Sequence, residues 1–319
     1  MIDYLLIVKH LTHEDTINFA NLEEKSYYSG TDVYRYSLKG CTDIEVMFYA
    51  SSNTLKVKGS FLYFQYGHNF VTERSRFIAA VRSVEDVLGI QLGDSFVEEF
   101  EYGAFLQVPG KPSDYIRNHK PLPCAKLEEN QRPRDKGNFK WYEDQCVSLK
   151  MYDAKVNFNK KLTKEVKEEL RLDGWNPEDN YLKFEAHYKK PHLLFNKGRG
   201  ITLQDLMSPQ WERRLKTDLL AQYRRLYALD KVYTSDRTTA GILMCSFINS
   251  GISLGIAPEE TRKTIYEALR GPFTPEFSPS DIKARQRQFR KLLKSISQIP
   301  RSPYDLTDAL KVSNRSATS

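Results

Sequence analysis

Hydrophobic and polar positions alternate along much of the first 200 residues, and helical spacing dominates after them. Tyr4 to Val8 reads as a short apolar strand, and Asp43 to Tyr49 and Thr54 to Gly59 alternate with period two. From Glu73 to Leu88, Phe77, Ile78, Val81, Val84, Val87 and Leu88 recur at helical spacing, with Gly89 as a C-terminal stop. Ser95 to Val108 predicts a long strand closed by Pro109-Gly110, and Val147 to Tyr152 and Tyr181 to Tyr188 predict two more. A highly charged helix is expected from Lys160 to Asp173. Residues 119–138, rich in proline and charge, predict a surface loop or mobile excursion.

Beyond Gly200 the pattern predicts helices at Leu203 to Met207, Glu212 to Ala228, Ala240 to Ser250, Pro258 to Leu269 and Ser280 to Ser297. The order predicts an α+β fold, an antiparallel-rich sheet with packed helices, over residues 1–198. A helical, basic domain is expected over 199–300, and a disordered polar tail over 301–319. No internal repeat is visible.

At 319 residues, 40% of them hydrophobic, the chain is long enough for two domains with real cores. No run of about 18 apolar residues occurs, and the opening Met1 to Ile7 lacks a basic segment and a cleavage site. Neither a membrane nor a secreted protein is expected. Cys41, Cys124, Cys146 and Cys245 are scattered without a CxxC, which argues against a zinc finger or a disulfide framework and fits a reducing cytoplasm.

The net charge of +7 is unevenly spread: residues 1–100 are acidic, and the rest is basic. A polyanion, with nucleic acid first in line, would meet the last two thirds of the chain, although a merely solvated basic surface fits as well. The helix from Ser280 carries Lys283, Arg285, Arg287, Arg290, Lys291 and Lys294 against Asp281 alone. Arg213, Arg214, Arg224 and Arg225 form a second patch. Such groups could neutralise backbone phosphates and make binding salt-dependent. The alternative is an ordinary amphipathic packing helix.

Tyr152-Asp153-Ala154-Lys155 follows an apolar strand. A tyrosine phenol can attack a phosphodiester when a metal and a cation assist, and a lysine three residues on would lie one helical turn away. The spacing alone is common by chance. Glu99 and Glu101 share one strand face, as do Lys183, Glu185 and His187. Adjacent carboxylates on a sheet face are either solvated or bound to a cation such as Mg²⁺ or Mn²⁺, and both readings stay open. His68, after an aromatic stretch, could ligate metal or belong to a turn. The chain has no GxxxxGK[ST], GxGxxG, HExxH or GxSxG, so no nucleotide cofactor is expected.

The start Met1-Ile2-Asp3 and the stretch Val57 to Phe70, with Gln65-Tyr66-Gly67-His68-Asn69 at its centre, resemble the gene II/X replication initiators of filamentous phages. Leu149-Lys150-Met151-Tyr152 falls where that family places its nucleophilic tyrosine, and Leu182-Lys183-Phe184-Glu185-Ala186 is similar to its Arg-Phe-Glu-Ala strand. The family's Arg-Ile-Asp strand appears here as Glu99-Phe100-Glu101, and no histidine-hydrophobe-histidine triplet occurs.

The resemblance implies an HUH-like, ferredoxin-like nuclease core and a rolling-circle initiator. Such an enzyme would nick one DNA strand at an origin, stay joined to the 5′ phosphate through Tyr152, and leave a 3′ hydroxyl for a polymerase. Mg²⁺ or Mn²⁺ would sit on Glu101 and Glu185 with His68 or His187, Lys155 would assist Tyr152, and the basic helices would hold DNA. Host helicase and polymerase in a bacterial cytoplasm would be the partners. The alternatives are a non-catalytic DNA-binding replication or regulatory protein, a virion-associated structural protein, and a nuclease that uses water as its nucleophile.

Overall fold

A computed structural model describes residues 1–30, 32–70, 73–121, 125–130, 138–176, 178–195, 199–228, 238–253, 258–268, 278–297 and 304–315. The chain opens with strands β1 (Ile2–His10), β2 (Leu22–Tyr28), β3 (Val33–Leu38), β4 (Ile44–Tyr49) and β5 (Thr54–Gly59). Helices α1 (Phe61–Tyr66) and α2 (Arg74–Leu88) follow, then β6 (Phe96–Gln107), α3 (Pro112–Asn118), β7 (His119–Pro121), β8 (Glu128–Asn130) and β9 (Phe139–Glu143). Next come β10 (Val147–Asp153), α4 (Ala154–Lys161), α5 (Lys164–Leu172), β11 (Tyr181–Tyr188), α6 (Pro191–Phe195), α7 (Leu203–Leu206) and α8 (Pro209–Tyr223). The chain ends with β12 (Leu226–Ala228), α9 (Thr239–Ser253), α10 (Pro258–Ala268), α11 (Pro279–Ser297) and α12 (Thr307–Arg315). The fold is α+β.

Contacts divide the chain into two units, one of residues 1–116, 128–224 and 306–319, the other of 117–127 and 225–305. The first unit holds a ten-stranded sheet in the order β2-β3-β4-β5-β1-β6-β11-β10-β9-β8. All of its pairings are antiparallel. Alternation gives the central strands two distinct faces. Phe100, Tyr102, Phe184, Ala186 and Tyr188 are buried on one. There Phe195 of α6 lies 5.0 Å from Tyr188, and Tyr223 of α8 lies 5.5 Å from Phe184, ring centre to ring centre. The other face carries the charges.

Ser60 caps α1 by accepting from the Tyr63 amide at 3.3 Å, and Gly67 ends it at φ 68°, a left-handed conformation that glycine adopts without strain. Gly89 ends α2 in the same way at φ 77°.

In the second unit β7 pairs with β12. Ile248 of α9 and Phe289 of α11 are buried there. Among the described residues, no helix is long and apolar enough to cross a membrane.

Several expectations change. The charged helix expected over 160–173 is two helices, because Asp153 caps a start at Ala154 and extended Leu162 and Thr163 interrupt it. The expected loop 119–138 contains β7 and β8, and His119 is buried; residues 122–124 and 131–137 lie outside the described residues. The helical part does not divide from the sheet at 198: α7 and α8 belong to the sheet unit, and the division falls after Arg224. The helix expected over 212–228 ends at Tyr223, and β12 follows. Within the tail expected to be disordered, α12 forms, with Leu306 and Leu310 buried and the Leu306 amide donating to the Tyr223 hydroxyl at 2.8 Å. Two buried leucines anchor it.

Candidate active site

Strand register assembles the charged face. Across β10 and β11, Tyr152 pairs with Lys183 and Lys150 with Glu185; across β11 and β6, Glu185 pairs with Gly103 and His187 with Glu101. Period two therefore puts Lys150, Tyr152, Lys183, Glu185, His187, Glu99 and Glu101 on one side. Between Ile2 and Leu5 the β1–β6 register slips, so that Asp3 and Tyr4 together stand opposite Glu101. This bulge brings Asp3 to the same face. Gly103 leaves room for Glu185: an added Cβ would meet Glu185 Cβ at 2.6 Å.

The side chains form a continuous chain of opposite charges. Lys183 Nζ donates to Asp3 Oδ2 at 2.6 Å and lies 2.8 Å from Glu185 Oε2. Lys150 Nζ donates to Glu101 and lies 3.7 Å from Glu185 Oε1. His187 stands 3.4 Å from Glu101 and 3.0 Å from Glu99. Ser60 Oγ donates to Asp3 Oδ1 at 2.9 Å, and the Asn69 amide donates to Asp3 Oδ2. The Tyr152 hydroxyl donates to Glu185 Oε2 at 3.2 Å. Exposure differs between the two ends of this chain, from 1% for the Lys183 side chain and 5% for Glu185 to 19% for His187 and 34% for Glu99. The inner end is dry and the outer end wet.

Burial and charge set the titrations. Burial pushes Asp3 up, but Lys183 overcomes it and holds the carboxyl below its usual value. Burial, with Glu185 beside it, raises Glu101 to about 7 against the pull of Lys150. Burial lowers Lys183, yet Asp3 and Glu185 keep its ammonium well above the ordinary lysine value. Burial and the Glu185 charge push the Tyr152 phenol well above 10. His187 is pulled down by burial and by Lys150.

One oxygen each from Asp3, Glu101 and Glu185 lie within 4.8 Å of one another. Such a donor set suits a hard divalent cation. Two ammoniums already compensate these carboxylates, so an ion would have to displace one. Lys150, a quarter exposed, has solvent to move into; Lys183 has none.

The expected residues divide. Tyr152, Glu185, Glu101 and His187 come together, with His187 beside the carboxylates and outside the group within 4.8 Å. His68 does not join them. It is buried between Tyr66 and Phe70, and its Nδ1 accepts from the Phe70 amide at 3.2 Å. Its neighbour Asn69 reaches the cluster instead. Lys155 also points elsewhere, 4.0 Å from Glu178, because Tyr152 belongs to a strand and α4 begins only at Ala154, so a helical three-residue spacing does not apply. Lys183 is the lysine beside Tyr152.

Lys283, Arg285, Arg287, Arg290 and Lys291 are exposed on α11, and the Lys294 side chain lies outside the described residues. Arg213 and Arg224 are exposed as well. Arg214 donates to the Phe195 carbonyl and lies 4.7 Å from the Trp211 ring centre, and Arg225 donates to the Ala125 carbonyl at 3.0 Å. These two guanidiniums brace the fold. Asp3, Lys183, Lys150 and Asn69 were not among the expected site residues. All four stand inside the resembling segments, but only the register reveals their convergence.

No protein-family model matches the chain, and no curated protein matches it. Among solved structures, a similarity is found to the crystal structure of the di-domain ARO/CYC BexL from the BE-7585A biosynthetic pathway. It is 10% identical, covers 68% of this chain and 84% of that one, and has a TM-score of 0.22. A similarity that low carries no argument about fold or function.

Proposed function

We propose that the chain nicks one DNA strand at a replication origin and rejoins it, acting as a rolling-circle initiator. The observation that carries this reading is the Tyr152 hydroxyl held 3.2 Å from Glu185 Oε2 amid carboxylates and ammoniums. The phenolic oxygen would attack the phosphorus, the bond to the 3′ oxygen would break, and Tyr152 would remain joined to the 5′ phosphate. Because the phenol is not ionised beforehand, its proton passes to Glu185 as attack occurs, while the departing 3′ oxygen takes a proton from water. Rejoining reverses both transfers.

Lys183 fixes Glu185, and Lys150 places positive charge toward the open side of the cluster. Asp3, Glu101 and Glu185 would hold Mg²⁺ or Mn²⁺, and a bound ion supplies polarisation of the phosphate. The sheet unit would then be the HUH-like nicking core. The exposed cations of α11, with Arg213 and Arg224, would hold DNA phosphates, and host helicase and polymerase would act at the released 3′ end.

A non-catalytic DNA-binding replication or regulatory protein is favoured by one observation: burial and Glu185 make the Tyr152 phenol harder to ionise than a free one. Covalent trapping separates the two readings. The full chain is incubated with supercoiled and single-stranded DNA of its own replicon and Mn²⁺, then run on a denaturing gel beside Tyr152→Phe. A DNA-linked band absent from the variant supports the enzyme; DNA binding without any adduct leaves only the binder.

A further inference from the structure

Lys183 and Lys150 divide the Glu185 carboxylate between them. Lys183 Nζ lies 2.8 Å from Oε2, the oxygen that also accepts from the Tyr152 hydroxyl. Lys150 Nζ lies 3.7 Å from Oε1 and donates to Glu101. The two ammoniums are held very differently. Lys183 has a second carboxylate, Asp3, at 2.6 Å, lies 5.1 Å from the Phe105 ring centre, and is 1% exposed. Lys150 is 25% exposed on a flexible stem, so it can leave Glu101 and Glu185 for solvent without opening the sheet.

We propose that Lys150 is an exchangeable counter-ion, which holds the place of a divalent cation between Glu101 and Glu185 and yields it when Mg²⁺ or Mn²⁺ binds. The choice of ion rests on the nicking reading. Two features carry the proposal. The first is position. One oxygen each from Asp3, Glu101 and Glu185 lie within 4.8 Å of one another, and Lys150 is paired with two of these three carboxylates. A cation that displaces Lys150 inherits its oxygen ligands, leaves Glu185 Oε2 to Lys183 and Tyr152, and needs no cavity of its own. The second feature is charge. Three ionised carboxylates against two ammoniums leave one negative charge; against Lys183 and a divalent cation they balance; with both ammoniums retained the ion would overshoot. Buried charges persist when they are compensated, so the balanced arrangement is the one in which Lys150 has left. A monovalent ion would bring no more charge than the ammonium it displaces, and the exchange therefore selects divalent ions.

The test measures Mn²⁺ binding to the full chain at pH 8 without DNA, reading free Mn²⁺ by electron paramagnetic resonance. Lys150→Met keeps the stem and removes the charge; Lys150→Arg keeps the charge. If the ammonium holds its place roughly 90–99% of the time, Lys150→Met should tighten Mn²⁺ binding by about 10-fold to 100-fold. Lys150→Arg should bind no more tightly than the parent, and Lys155→Met, which removes a cation outside the cluster, should match the parent. The gain should vanish when Glu101→Gln is added to Lys150→Met. Lys150→Gln replaces the methionine variant if that one does not fold. Equal or weaker binding in Lys150→Met would overturn the proposal, as would a gain that survives Glu101→Gln, or no Mn²⁺ binding to any of these proteins. Covalent trapping separates this inference from the reading beneath it. An adduct through Tyr152, with Mn²⁺ affinity unchanged in Lys150→Met, sinks the exchange and leaves nicking. Tighter Mn²⁺ binding in that variant, with no adduct on any DNA, leaves the exchange and removes nicking.

Discussion

Tyr152 and Lys183 face each other across β10 and β11, and the Lys183 ammonium stands 5.6 Å from the Tyr152 ring centre. The same ammonium bridges Asp3 and Glu185, so one buried cation ties the first strand of the chain to the last strand of the sheet in sequence order. A charge so placed is costly to remove, since its partners stay buried without it.

Lys183→Met should therefore lose about 3–5 kcal/mol of stability in urea denaturation. Lys183→Arg, which keeps the charge, should lose less. A loss below about 1 kcal/mol for the methionine variant would mean that water serves the two carboxylates equally well.

Tyr152→Phe removes a hydroxyl from a carboxylate that Lys183 still satisfies. The expected cost is about 0.5–1.5 kcal/mol, with the variant folded and devoid of covalent adduct. An adduct that survives this change would point to another nucleophile.

Stability should depend on Glu101. Its folded carboxyl titrates at about 7 while the unfolded one titrates near its ordinary value of 4.5. The folded protein thus holds a proton that the unfolded chain has released, and stability falls as the pH rises from about 4.5 to about 7. Without divalent ions, Glu101→Gln should flatten this part of the profile and exceed the parent at pH 8 by about 1–3 kcal/mol. His187, lowered by burial and by Lys150, acts in the opposite sense, so the comparison is between variant and parent, not the raw slope. Identical slopes from pH 5 to 7 would rule the Glu101 contribution out.

Gly103→Ala should cost about 3 kcal/mol, because the new methyl would press on Glu185 Cβ and lie 2.9 Å from the Phe184 carbonyl oxygen. Gly110→Ala, where the nearest atom lies 3.6 Å away, is the control. Similar melting temperatures for the two variants would show that β6 and β11 can spread apart.

Arg287 and Lys291 are exposed on α11. If both meet DNA phosphates, replacing the pair with alanine should lower the slope of log affinity against log salt by about 2. An unchanged slope would take α11 out of the DNA interface.

The strands with clean alternation were readable from sequence: Thr54–Gly59 and Tyr181–Tyr188 form β5 and β11 with those bounds. Their faces follow, which is why Glu101, Glu185 and His187 could be singled out together. Leu22–Tyr28 was missed because the edge strand β2 is largely exposed and polar, so no buried face imposes alternation. The tail misled because its few apolar residues, Leu306 and Leu310, are the ones that anchor α12. The alternating pattern does not distinguish Lys183 and Lys150 from other strand lysines; only the register shows each aimed at a carboxylate. Lys155 was assigned by helical spacing at a point where the chain is still a strand.

An alternating strand can offer one face only every second side chain, but β1 offers this face both Asp3 and Tyr4. Leu5 to His10 keep their own partners in β5 whatever happens in front of them. Deleting Asp3 would restore simple alternation to β1 and would leave the buried Lys183 with Glu185 alone. The acidity of this site is thus a property of strand register as well as of residue identity.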